Sequence, residues 1–98
     1  MEMVGLTFEW DEEKRYKNIN ERGLDIAALG PLVLADPNVV IRQDERQDYG
    51  EERWQAYGNV DGLCLCVCFT LRGNVIRLIT IFKLNKTDWE KHYEGKNH

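Results

Sequence analysis

Two glycine-bearing turns constrain this chain more than any other feature. Residues 52–60, 63–71 and 74–82 read as β-strands, and the connections between them shrink to Asp61-Gly62 and Arg72-Gly73, the composition of two-residue hairpin loops. A loop that short fixes the register of its strands, and register decides which side chains share a face. The second half of the chain is thereby expected to form an antiparallel meander. Residues 39–42 supply one more strand, ahead of a polar, acidic loop over 43–50.

The first half carries helical signals. Residues 7–10 suit a short strand. Asp11 then fits an N-cap, with Glu12 and Glu13 in the first turn, and Gly23 stops the helix after Arg22. A second helix opens at Asp25 and is expected to kink or split at Gly30-Pro31, because proline removes a helical hydrogen bond. Asp36-Pro37-Asn38 marks a turn. Thr87-Asp-Trp-Glu90 reads as a capping box opening a last helix that carries Trp89 and Tyr93. The fold class expected is α+β. N-terminal helices pack on one face of an antiparallel sheet of about four strands, a C-terminal helix closes a single domain over residues 1–98, and the opposite sheet face stays free for a partner.

The two turns sort the side chains. With Arg72-Gly73 as the loop, Phe69 faces Ile76, Val67 faces Leu78 and Leu65 faces Thr80. With Asp61-Gly62 as the loop, Trp54 faces Phe69 and Ala56 faces Val67. Trp54, Ala56, Leu63, Leu65, Val67, Phe69, Ile76, Leu78 and Phe82 then form an apolar face, which belongs under the helices. On the other face Arg53 aligns with Thr70 and Val75, Gln55 with Cys68 and Arg77, and Tyr57 with Cys66 and Ile79. Arg77 stands out because it interrupts an aliphatic run, Val75-Ile76-Arg77-Leu78-Ile79. Two readings stay open for it: a solvated arginine paired with a nearby carboxylate, or a guanidinium fork for a phosphate.

Composition narrows the rest. The chain of 98 residues has a formal charge of −4, with 17 acidic and 13 basic residues, so a generally basic nucleic-acid-binding surface is not expected. Cys64, Cys66 and Cys68 alternate along one strand. Neighbours on one side of a strand lie about 7 Å apart, which disfavours a disulfide, and no fourth ligand at a recognisable spacing argues for zinc. Neither a metal nor a cofactor is expected. His92 and His98 have no evident catalytic partner and read as surface residues. No secretory signal or membrane span is evident, so the cytoplasm is the expected compartment.

Read in order, a set of short motifs adds up. Phe8-Glu-Trp-Asp11 is followed by Lys14, Asn18, Gly23 and Asp36-Pro37. Next come Gly50-Glu-Glu-Arg-Trp54, Gly58, Asp61-Gly62, Thr70, Arg72-Gly73, Ile76-Arg77 and the stretch from Lys83 to Lys86. In order and spacing this resembles the BrnT family of bacterial type II toxins over residues 8–93. The resemblance implies a RelE-like toxin fold and an endoribonuclease that cuts RNA and stops translation. It also implies a BrnA-like antitoxin whose ribbon-helix-helix part binds the operon's DNA, leaving this chain with no direct DNA contact.

By position, Glu52, Arg53, Trp54 and Arg77 match the family's motif. Arg77 and Arg53 are then the expected phosphate-holding catalytic residues, with Glu52 as general base. Gln55, Tyr57 and Thr70 are expected RNA-binding positions on the free face, and Lys83 and Lys86 contacts to flanking phosphates. A homodimer and a 2:2 toxin–antitoxin complex are both open. Two segments depart from the pattern: Glu21-Arg22-Gly23 stands where the family usually has Lys-His-Gly, and Thr80-Ile81-Phe82 where it usually has Ser-Ala-Arg. They support an alternative, a BrnT-like protein without catalysis that only binds its antitoxin.

Overall fold

The computed structural model describes residues 6–46, 48 and 50–93. Asp11 caps α1 (Glu12–Arg22), accepting hydrogen bonds from the backbone N–H of Glu13 at 2.9 Å and Lys14 at 3.3 Å. Gly23 ends it at φ 68°, the left-handed conformation glycine adopts without a Cβ penalty. Asp25 caps α2 (Ile26–Leu34) through the N–H of Ala27 and takes Nε and Nη2 of Arg15 at 3.0 and 3.1 Å. The split expected at Gly30-Pro31 does not occur: α2 runs unbroken through Pro31. Proline's fixed φ suits a helix, and its cost of about 3 kcal/mol is offset by Val33 and Leu34, which are buried beyond it.

The sheet has five strands in the order β1-β5-β4-β3-β2 and is mixed, not a purely antiparallel sheet of about four. β1 (Thr7–Glu9), only three residues long, pairs parallel to β5 (Val75–Lys83), with Glu9 beside Arg77. The neighbours β5, β4 (Leu63–Arg72), β3 (Trp54–Val60) and β2 (Val40–Gln43) are antiparallel to one another. α1 and α2 lie on one face. Val33 and Leu34 of α2 join Ala56, Val67, Phe69, Ile76 and Ile81 in the main core. Gly58 permits the close approach, because a Cβ there would sit 2.7 Å from the carbonyl oxygen of Val33.

The β3–β4 register is the one Asp61-Gly62 dictates, with Trp54 opposite Phe69 and Ala56 opposite Val67. The β4–β5 register differs in two ways. Its turn is Gly73-Asn74, one residue later than Arg72-Gly73, with Gly73 at φ 63°. Moving a turn by one residue moves each partner by two, so faces are kept: Phe69 meets Leu78 instead of Ile76, and Thr70 meets Arg77. A bulge then intervenes, and Ile79 is the extra residue between Phe69–Leu78 and Cys68–Thr80. Beyond it, Val67 meets Ile81 and Leu65 meets Lys83, in place of Leu78 and Thr80. The single-residue insertion reverses the faces there. Ile81, not Phe82, lies in the core beneath the helices, while Phe82 packs on the opposite side.

That opposite side is not free. Leu84 leads into α3 (Lys86–His92), capped by Asn85 and not by Thr87: the Asn85 side chain accepts from the N–H of Asp88 at 2.8 Å and donates back to its carboxylate at 3.1 Å. α3 lays Trp89 onto Tyr57, Cys66 and Cys68, with Cys64, Ile79, Phe82 and Tyr93 around them. Trp89 and Tyr93 stack with ring centroids 3.9 Å apart. The alternating cysteines thus fill a second, smaller core as free thiols. Asp36 pins this layer, accepting from the Tyr93 hydroxyl at 3.0 Å and the backbone N–H of Asn59 at 2.7 Å. Among the described residues no helix is long and apolar enough to cross a membrane.

Candidate functional site

The chain-reversing loop before β3 and the first residues of β5 bring together a row of charged side chains. Thr70 and Arg77 are direct cross-strand partners, and Glu9 flanks Arg77 on the parallel side. Arg53 immediately precedes Trp54, whose partner is Phe69, so side-chain alternation carries Arg53 toward the Thr70 face. The row therefore runs Glu9, Arg77, Thr70, Arg53 across four strands or their extensions. Gln55 aligns with Cys68 and Thr80, and Tyr57 with Cys66 and Phe82, so neither lies level with the Arg77 position.

The charge of Arg77 in this row is offset within the chain. Arg77 Nη1 lies 3.2 Å from Glu9 Oε1, with a third of its side chain exposed. Arg72 approaches the same Glu9 oxygen at 3.8 Å and reaches Glu51 at 3.4 Å. Thr70 is 1% exposed, and its hydroxyl donates to the carbonyl oxygen of Glu52 at 2.6 Å. It fixes the segment that carries Arg53 and has little surface to offer a ligand. Glu52 itself is exposed.

Gln55 and Tyr57 sit under α3, in a cavity of about 350 Å³ lined also by Arg46, Phe82, Asp88 and His92. Tyr57 is 4% exposed and its hydroxyl donates to Gln55 Oε1 at 2.7 Å. Burial, followed by the neighbouring Cys66 and Cys68, pushes its pKa up to about 12. His92 stacks on it, with ring centroids 4.8 Å apart and planes 11° apart. Burial first, then Arg42 and Lys91, lowers the His92 pKa, so the imidazole is neutral at pH 7. Lys83 is exposed at the end of β5. Lys86 is 89% exposed and 3.8 Å from Glu90 on α3.

Residues 10–88 match the family described as ribonuclease toxin, BrnT, of type II toxin-antitoxin system. The chain belongs to the BrnT family. No curated protein and no solved structure matches it significantly. As a BrnT member it comes from a family of ribonuclease toxins, and a type II system pairs such a toxin with a protein antitoxin.

Three residues beside Arg77 and in the cavity under α3 escaped sequence reasoning. Glu9 was missed as the carboxylate beside Arg77 because a three-residue parallel strand leaves almost no periodic signal. Arg46 lies in an acidic loop and is held to buried Asp44 by two hydrogen bonds of 2.8 Å. His92 read as a surface residue. Its position three residues after Trp89, on the same side of a helix, was the available signal. His98 lies outside the described residues.

Proposed function

We propose that this chain is an RNA-cleaving toxin whose phosphate-holding groups are Arg77 and Arg53. The observation that carries the reading is the family match over residues 10–88 together with the Arg77–Thr70 cross-strand pair, which brings Arg77 toward the edge that Arg53 extends. RNA supplies its own nucleophile. The 2′-oxygen attacks phosphorus, the P–O5′ bond breaks, the 2′-hydroxyl gives up a proton and the departing 5′-oxygen gains one. Two guanidiniums offset the extra negative charge on the five-coordinate phosphorus. Glu52 is the assigned proton acceptor; strand alternation turns it away from Arg53, so a water must carry the proton to it. Lys83 and Lys86, both exposed, are assigned to flanking phosphates. In this reading a BrnA-like antitoxin with a ribbon-helix-helix part neutralises the toxin, and translation stops when it is absent.

A second reading has its own observation. Glu9 and Glu51 neutralise Arg77 and Arg72, and Phe82 packs beneath α3 where the family usually presents an arginine. A protein that only binds its antitoxin would have no need of a bare cationic face. Expression of the chain alone, with Arg77→Ala beside it, separates the two. Growth arrest with RNA cleavage, both lost in Arg77→Ala, supports the nuclease. Wild type that neither arrests growth nor cuts RNA leaves the binding protein.

A further inference from the structure

β1 covers β5 only from Val75 to Arg77, so among the described residues the outer edge of β5 beyond Arg77 has no neighbouring strand. α1 lies against that edge. Arg22 Nη1 donates to the carbonyl oxygen of Ile81 at 2.8 Å and approaches Thr80 Oγ1 at 3.4 Å. Between helix and edge is a cleft of about 230 Å³, lined by Lys14, Lys17, Asn18, Glu21 and Arg22 of α1 and by Ile79 and Thr80 of the bulge. Lys14, Lys17, Asn18 and Glu21 follow an i, i+3, i+4, i+7 spacing and so share one side of the helix.

We infer that this cleft binds a backbone phosphate of single-stranded RNA. Three cations against one carboxylate leave the cleft positive in a chain whose total charge is −4. Lys14 and Lys17 form no ion pair with any described carboxylate. Asn18 is 8% exposed, and its amide makes no side-chain hydrogen bond to another described residue although it lines the cleft. Its amide is not among the buried side-chain groups left without a partner, so it reaches solvent through the cleft and can turn to a polar guest there. Lysine ammonium groups, a guanidinium, an amide and a hydroxyl are donors suited to phosphate oxygens, and no aromatic ring is present to stack a base.

The bulge gives the cleft its relation to Arg77. By placing two residues opposite Cys68, it brings Ile79 toward the α3 side together with Thr80. Arg77 and Thr80 lie opposite Thr70 and Cys68, two residues of β4 or about 7 Å apart, so neighbouring phosphates of one RNA can reach both. This inference rests on the RNA-cleaving reading and adds a positioning subsite to it.

The test uses a fluorescent, mixed-sequence 2′-O-methyl RNA, which lacks the attacking hydroxyl. Its binding is followed by anisotropy over a salt series for wild type, Lys14→Ala/Lys17→Ala and Lys14→Arg/Lys17→Arg. Both positions are exposed on α1, so the fold should survive. The alanine pair should weaken binding about tenfold and flatten the log–log salt slope by about 0.7, the value for one phosphate contact on a single strand; the arginine pair should restore both. Equal affinity and slope in wild type and the alanine pair would overturn the subsite. If the wild type still cuts unmodified RNA in that case, the nuclease reading stands without it. Wild type that neither binds nor cuts RNA removes both. Retained RNA binding with weakened antitoxin binding in the alanine pair would make the cleft a protein-docking site and also overturn the inference.

Discussion

Arg77 and Glu9 face each other across the parallel edge of the sheet, Nη1 to Oε1 at 3.2 Å. Both are partly exposed, so the pair contributes only about 0–1 kcal/mol to stability. Its larger effect is on any phosphate that approaches, because Glu9 already engages one arm of the guanidinium. Glu9→Gln should therefore tighten RNA binding several-fold while changing unfolding free energy by less than about 1 kcal/mol. Anisotropy and urea denaturation read the two quantities separately. Unchanged affinity would show that Glu9 does not compete with RNA.

The Tyr57–His92 stack makes the docking of α3 sensitive to acid. Burial holds the His92 pKa below its unfolded value near 6.5, so the unfolded or undocked form binds the proton more readily. The contribution is complete above pH 6.5 and is lost as pH falls from there toward the lowered pKa. Proton NMR of the His92 ring and the Trp89 indole should show α3 loosening below pH 6.5. His92→Phe should abolish that dependence. An identical acid response in the variant would assign it to other groups.

Gly58 is the point of closest approach between α2 and the sheet. Gly58→Ala would set a methyl group against the Val33 carbonyl at 2.7 Å, with Val33 Cγ1 at 3.1 Å beside it. The backbone must shift, which should destabilise the domain by about 1–3 kcal/mol. Thermal denaturation measures it, and a melting temperature equal to wild type would mean that α2 moves away at no cost.

Asp36 joins three pieces of chain that are remote in sequence: the turn after α2, Asn59 near the end of β3 and Tyr93 after α3. Asp36→Ala removes all three hydrogen bonds at once, at a cost of about 2 kcal/mol. Tyr93→Phe removes one hydrogen bond alone and should cost about 1 kcal/mol. Chemical denaturation of the two variants should keep that order, and the reverse order would relocate the anchor to Tyr93.

The hairpin at Asp61-Gly62, the caps at Asp11 and Asp25 and the stop at Gly23 were legible because each depends on residues adjacent in the chain. The β4–β5 register was not. Gly73-Asn74, with glycine at the first central position, was the better turn signal than Arg72-Gly73, but nothing local marks Ile79 as the extra residue of a bulge. The sequence pattern therefore puts Phe82 under the helices. The covering of Tyr57 by α3 was likewise hidden, since it depends on Trp89 and Cys66 meeting across the fold. Among the expected site residues, the facing of Arg77 toward the Thr70 side survived the error, because a two-residue slip conserves parity.

The bulge at Ile79 also makes strand length a determinant of what each layer receives. Deleting that one residue would turn Phe82 inward against α2 and hand Ile81 to Trp89, exchanging an aromatic for an aliphatic in both compartments at once. Descendants of this chain can therefore trade many side chains along β5 more safely than they can gain or lose a single peptide unit between Leu78 and Thr80.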